Sequence, residues 1–167
     1  VNCLYTLKEL GFETGTGVLV GLPYQEIDSY ADDILFFKKL NADMIGLGPF
    51  IAHNQTELKE AKNGDLTLAL TVMALTRIIM PKINIPATTA METIEKNGRI
   101  KALKSGANVV MPNVTPENIK ENYSIYPDKR GVDVYKNTEL DELKKEIATI
   151  GDSISDDFGT SKNYKNN

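Results

Sequence analysis

Apolar residues in this chain recur at two spacings that take turns. Four short runs with little polar interruption have the length of buried strands: Gly17-Val18-Leu19-Val20-Gly21, Met44-Ile45-Gly46-Leu47, Ile85-Pro86-Ala87-Thr88-Thr89 and Ala107-Asn108-Val109-Val110-Met111. The third is the weakest, because its proline cannot donate to a sheet ladder. Between them the period becomes helical. Leu4, Leu7 and Leu10 share one face of a helix that Gly11 is placed to end. Ile27, Tyr30, Ala31, Ile34, Leu35, Phe37 and Leu40 form a stripe, with Asp32, Asp33, Lys38 and Lys39 mostly off it. Asp65 caps a third helix carrying Leu66, Ala69, Leu70, Met73, Ala74, Arg77 and Ile78, which Pro81 terminates. A short helix at Arg99 to Ser105 closes at Gly106, and Thr115-Pro116-Glu117 has the form of another helix start. Glu139 to Ile150 is helical in pattern, and the polar stretch from Gly151 to Asn167 reads as a frayed tail.

Four strand-helix units in succession imply a parallel sheet, since a parallel crossover needs a helix. An open dinucleotide-binding sheet would carry G-x-G-x-x-G after its first strand, whereas Gly15-x-Gly17 lies before that strand and not after it. Four units are half of an eight-unit barrel of roughly 250 residues. The expected fold is therefore α/β, the carboxyl-terminal half of a TIM-type (β/α)8 barrel. Residues 1–134 form the partial barrel, 135–150 a carboxyl-terminal helix and 151–167 a disordered tail. Alone, a half-barrel exposes two parallel edges and an inner face, so self-association is expected.

Composition narrows the function classes. With 167 residues, 41% of them apolar and 25% charged, the chain suits one globular domain. A net charge of −4 with no basic stripe argues against a nucleic-acid surface. No run is long and apolar enough for a membrane span. One cysteine, Cys3, fits a reducing, cytoplasmic setting. The start at Val1, without methionine and directly into helical sequence, reads as the middle of a longer protein.

In a barrel, chemistry sits at the carboxyl ends of the strands. Here those ends are Gly21 to Gln25, Gly48 to His53, Thr88 to Met91 and Met111 to Asn113. They hold no lysine for a Schiff base, no paired carboxylates and no metal cluster around the single histidine. What remains suits a cofactor held by backbone and apolar contacts, with Thr88 and Thr89 available to an anion or carboxylate. The loop from Gly48 to about Asn63, carrying His53, is a candidate lid or pocket wall. Each residue also has a plainer role. Gly17 and Gly21 serve as packing glycines, Met111 as core filler, His53 as a solvated side chain, and Arg77 and Arg99 as surface or ion-pair residues.

Four motifs, in order, carry a resemblance: Gly17-Val18-Leu19-Val20-Gly21-Leu22-Pro23, Asp43 to Ile51 with His53, Ile85 to Ala90, and Gly106 to Asn113. Together they resemble the carboxyl-terminal half of the radical S-adenosylmethionine maturase family of iron-iron hydrogenase (HydE), in the biotin-synthase-like branch. The resemblance implies a barrel in which an amino-terminal C-x-x-x-C-x-x-C loop holds a [4Fe-4S] cluster that reduces S-adenosylmethionine to a 5′-deoxyadenosyl radical. It further implies a role, with companion hydrogenase maturation proteins, in building the organometallic di-iron cofactor from a small-molecule iron complex. Carried over by position, Gly17, Leu19 and Gly21 belong to the strand near the adenine. Ile45, Gly46 and Leu47 belong to the strand that approaches it with its backbone. Thr88, Thr89 and Met111 face the substrate cavity.

The chain departs from that pattern in three ways. The cluster cysteines are absent, so the cluster's ligands are expected in a missing amino-terminal half, and this chain alone should not generate a radical. Tyr24 stands where the family has glycine, and Ala52, Asn54 and Gln55 interrupt its Pro-x-His-Pro-Asp pattern. Methylornithine or biotin synthase-like chemistry, and a non-catalytic half-barrel scaffold, stand as alternatives.

Overall fold

A computed structural model describes residues 1–112 and 137–164. In chain order the elements are α1 (Asn2–Glu9), β1 (Gly15–Val20), α2 (Ile27–Leu40), β2 (Met44–Pro49), α3 (Leu66–Ile79), β3 (Pro86–Ala87), α4 (Thr89–Ile94), α5 (Gly98–Lys104), β4 (Val109–Val110) and α6 (Asn137–Ala148). β1 and β2 pair in parallel from Gly15 opposite Met44 to Val20 opposite Pro49, and β3 pairs with β4 in parallel through Pro86–Val109 and Ala87–Val110. A parallel bridge between Met44 and Asn84 joins the two pairs, with Ile45 N donating to Asn84 O at 2.9 Å and Asn84 N to Asp43 O at 2.8 Å. The architecture is α/β with short parallel strands. The fourth helix expected from Thr115 lies outside the described residues.

The third unit differs from the sequence expectation. Its strand spans two residues where five were expected, because Thr88 leaves the sheet to become the N-cap of α4, a helix the sequence pattern did not announce. Pro86 has no N–H to extend a ladder, and threonine is at home where a helix begins. β4 is likewise two residues long where five were expected, β1 begins two residues early at Gly15, and β2 runs on through Gly48 to Pro49, whereas the boundaries of α2 and α3 follow the local signals. Asp65 Oδ1 accepts from Leu68 N at 2.7 Å to start α3, and Asn41 in the left-handed region closes α2.

The large side chains of the core pack one face of β1–β2. Val20, Ile45 and Leu47 are fully buried against Tyr30, Ile34, Phe37 and Leu40 of α2 and Ala69, Val72 and Met73 of α3. A fully buried side chain of this size contributes about 1.5–3 kcal/mol, so this layer holds the helices to the strands.

Polar groups take over at the amino-terminal rim, where the ladders are short. The Arg77 guanidinium donates to Gly106 O (2.8 Å), Pro81 O (3.0 Å), Ile83 O (2.8 Å) and Asn108 Oδ1 (2.9 Å). Asn108 Oδ1 also accepts from Ile85 N at 2.8 Å, and its Nδ2 donates to Asn84 Oδ1 at 3.1 Å. Arg77 is thus a hub of carbonyl contacts and not the surface or ion-pair residue the sequence suggested. Burial pulls its pKa down from the usual arginine value, though it stays charged. Nearby, Asp43 is fully buried, and its Oδ2 accepts from Lys8 Nζ at 2.7 Å and Thr14 N at 2.8 Å, which ties α1 to the start of β2.

The segment expected to be a frayed tail carries no helix or strand over 152–164, yet part of it is fastened to the same rim. Gly159 O accepts from Asn84 Nδ2 (2.7 Å) and Ser161 N donates to Glu13 Oε1 (2.8 Å). Asn163 Nδ2 reaches Ala42 O (2.8 Å), Tyr164 OH reaches Gly11 O (2.7 Å), and Ser161 is buried. Polar composition suggested solvation, but here the polar groups satisfy backbone carbonyls at the rim.

Two outcomes follow from this rim. Arg77→Lys, which cannot reproduce the planar fork, should lower unfolding free energy by about 2–3 kcal/mol in urea titration; an unchanged midpoint would contradict the hub. Ending the chain after Phe158 should cost about 2 kcal/mol, several hydrogen bonds offset by the released chain's entropy, and should speed hydrogen exchange at Asp43 and Asn84.

Candidate functional site

Strand alternation sends Gly15, Gly17 and Leu19 of β1 to the face opposite the helices, and the parallel register sets Met44, Gly46 and Gly48 of β2 beside them. Four of these six positions are glycine, so this face is nearly bare backbone. Its two large side chains are Leu19, 51% exposed, and the half-buried Met44 at the far end. With Thr88 and Ala90 at the start of α4, this face lines an open cleft of about 330 Å³ whose other walls are Val18 and Leu47.

The glycines are not equivalent. A Cβ on Gly17 would lie 2.2 Å from Gly46 O, so Gly17 is required by the approach of the two strands. A Cβ on Gly48 would lie 2.9 Å from Thr88 Oγ1. A Cβ on Gly46 would meet only Thr16 O at 3.8 Å, so a side chain there would enter the cleft without strain. Packing therefore does not demand glycine at Gly46. Thr88 Oγ1 is buried with no hydrogen-bond partner among the described residues, a cost of about 1–3 kcal/mol unless another group meets it.

Of the residues singled out in the sequence, Gly17, Leu19, Gly46, Leu47 and Thr88 come together at this cleft. The Ile45 side chain is fully buried on the helix side. Leu47 is likewise buried there, and it belongs to the cleft through its place in the strand. Gly21, with φ +91°, turns away, and its N–H donates to Gln25 Oε1 and Tyr30 OH, both at 3.0 Å. It lines a second depression of about 760 Å³ with Pro23, Tyr24, Gln25, Lys62 and Glu95. Thr89 begins α4, its carbonyl accepting from Thr93 Oγ1 at 3.0 Å, and lines neither depression. Met111 is 55% exposed and also lies outside both. Gly48 and Ala90 also line the cleft; the sequence placed both in strand-end segments without giving either a role of its own. The Gly46-x-Gly48 alternation, set against Gly17-x-Leu19, was the available signal for Gly48.

The loop after β2 is closed at its base. Phe50 N donates to Val20 O and Gly64 N to Phe50 O, both at 2.8 Å, and Ala52 N to Asn63 Oδ1 at 2.9 Å. Within it Gln55 N donates to His53 Nδ1 at 3.1 Å, which puts a neutral ring's proton on Nε2. His53 lines neither depression. Tyr24 stands fully exposed with a left-handed φ of 66°, where glycine would be unstrained. Among the described residues there is no group of three His, Cys, Asp or Glu side chains placed to hold a metal ion, and no helix is long and apolar enough to cross a membrane.

No family model matches the sequence. Among curated proteins, the chain is 49% identical over 162 residues, 97% of its length, to the [FeFe] hydrogenase maturase subunit HydE of Thermotoga maritima, covering 47% of that protein. It is 31% identical over 103 residues, 62% of the chain, to the 3-methylornithine synthase of Methanosarcina acetivorans, covering 29% of it. To the 3-methylornithine synthase of Methanosarcina barkeri it is 25% identical over 126 residues, 75% of the chain, covering 35% of that enzyme. The chain thus spans about half the length of the maturase it matches, and less of the synthases. Near-complete coverage at 49% identity agrees with the resemblance carried by the four strand motifs: the chain belongs to the family of the [FeFe] hydrogenase maturase subunit HydE.

Proposed function

We propose that this chain is the carboxyl-terminal half of a (β/α)8 radical S-adenosylmethionine enzyme of hydrogenase maturation, and that its glycine face receives the adenosyl group of S-adenosylmethionine beside a small-molecule substrate. The observation that carries the reading is Gly46. Its position has room for a side chain that packing does not forbid, and a flat ligand lying on the strands is a reason to keep it bare. The unpartnered Thr88 hydroxyl at the same cleft supplies one hydrogen bond for a polar edge of that ligand.

The residues present fit the nucleoside better than the cluster. A [4Fe-4S] cluster supplies the electron that cleaves S-adenosylmethionine, but it takes thiolate ligands, and this chain has one cysteine, exposed at Cys3. The cluster and its loop are assigned to the other half of the barrel, which would pair with the free edges of β1 and β4. Companion maturation proteins, an iron-complex substrate and a cytoplasmic location complete the proposal. The 49% identity to the maturase, against 31% and 25% to the 3-methylornithine synthases, favours maturation over methylornithine chemistry.

Titration of S-adenosylhomocysteine into the isotope-labelled chain should shift the amides of Gly17, Gly46, Gly48 and Thr88. Shifts confined to Gly21, Tyr24 and Lys62, or none at millimolar ligand, would overturn the assignment. Gly46→Leu should weaken that binding at least tenfold, about 1.4 kcal/mol, while leaving the melting temperature within a few degrees. Gly17→Ala should instead destabilise the fold by about 2 kcal/mol through backbone overlap. Thr88→Val should raise stability by about 1 kcal/mol, because an unsatisfied buried hydroxyl is removed, and should weaken binding.

A further inference from the structure

α3 is an unusual helix for a protein surface. Over Leu66–Ile79 it has one charged residue, Arg77, and that guanidinium is committed to the carbonyls of Pro81, Ile83 and Gly106. Beside Thr67 and Thr71, what the helix shows to solvent is apolar: Leu75 is 47% exposed, Ile78 75% and Ile79 39%. The adjoining side of α2 continues the patch with Ile27 at 68% and Leu35 at 61%. Between the two helices runs a groove of about 410 Å³, with Ile34 and Leu68 in its walls. Exposed ridges beside an apolar groove mark an interaction surface.

The charges bordering this surface indicate its occupant. Asp28 and Asp32 lie on the amino-terminal half of α2, and Lys38 and Lys39 on its last turn. All four are exposed, and none takes part in an ion pair among the described residues. Asp28 and Lys39 are separated by roughly 16 Å along the helix axis. We infer that the α2–α3 face packs against the same face of a second copy of this chain about a two-fold axis, the two α2 helices running antiparallel. That arrangement sets Asp28 and Asp32 of each copy against Lys38 and Lys39 of the other, whereas a parallel one would oppose like charges. Ile78 and Leu35, which stand proud of the groove, meet the groove of the partner copy.

Two helices about 21 Å long, side by side, present roughly 400 Å² per copy, about half of a standard interface. The association is therefore weak, in the micromolar range or above. It is also separate from pairing through the free edges of the sheet, because the groove lies on the outside of the helix layer. The inference stands whether or not the glycine face binds a nucleoside.

Disulfide trapping tests it in the full chain. In a Cys3→Ser background, Leu35→Cys, near the axis, should form an interchain disulfide under mild oxidation, and Lys101→Cys on α5 serves as the control for random or edge-mediated encounters. Trapping at Leu35→Cys should exceed the control at least fivefold, fall by about that factor in Asp28→Lys/Asp32→Lys, and recover when Lys38→Asp/Lys39→Asp is added. Equal trapping at the two positions, trapping insensitive to charge reversal, or failure of the second pair to restore it would each overturn the two-fold assignment. Protection of the groove only on adding another maturation protein would also overturn it, in favour of a different partner.

Discussion

The arrangement of the strands depends on one guanidinium. β3 and β4 are two residues long and make too few ladder bonds to fix their place beside β2. Arg77 gathers the carbonyls of Pro81, Ile83 and Gly106 together with Asn108, and Asn108 passes the constraint to Ile85 and Asn84. Because it has five donors in a rigid plane, arginine can serve several oxygens at once. Gly106, with φ +119°, lets the chain come close enough, since a Cβ there would lie 2.7 Å from Arg77 Cβ. Asn84 then bridges to β2, where the glycine face begins.

That face reflects a division between the two sides of one strand pair. Ile45, Leu47 and Val20 fill the helix side completely, so the hydrophobic term that holds β1–β2 is collected mostly from one side. The opposite side carries little side-chain packing: it is left as backbone at Gly17 and Gly46, and Gly48 is covered by Thr88. Stability and ligand contact are thus drawn from alternate residues of the same six-residue strands. A substitution on one side need not disturb the other, except at Gly17, where the two strands themselves meet.

Much of this was legible in the sequence. The alternation of short apolar runs with 3.6-residue stripes marked α1, β1, α2, β2 and α3, helped by local start and stop signals such as Asp65 ahead of α3 and Gly11 after α1. The third unit was less so: Thr88 and Thr89 have strand propensity, and only the tertiary context turns them into a helix start. Arg77 read as a surface residue because nothing local says that the carbonyls of the turn after α3 and that of the distant Gly106 will converge on it. The cleft was half legible for a similar reason. Gly17, Gly46 and Thr88 were found from motif and strand-end position, but the separation of Gly21 from them needs the positive φ and the bonds to Gln25 and Tyr30.

The strap at residues 159–164 bears on the order in which the fold can assemble. Its hydrogen bonds join residues 75 to 153 positions apart, from Gly159 to Asn84 and from Tyr164 to Gly11. Contacts of such separation repay their loop-closure entropy only after the intervening chain is compact. The glycine face, built from neighbouring β1 and β2, can therefore form early, while the opposite rim is sealed last. A nascent or partly unfolded molecule would carry a formed cleft above an unfinished floor, and it is from the floor that unfolding would begin.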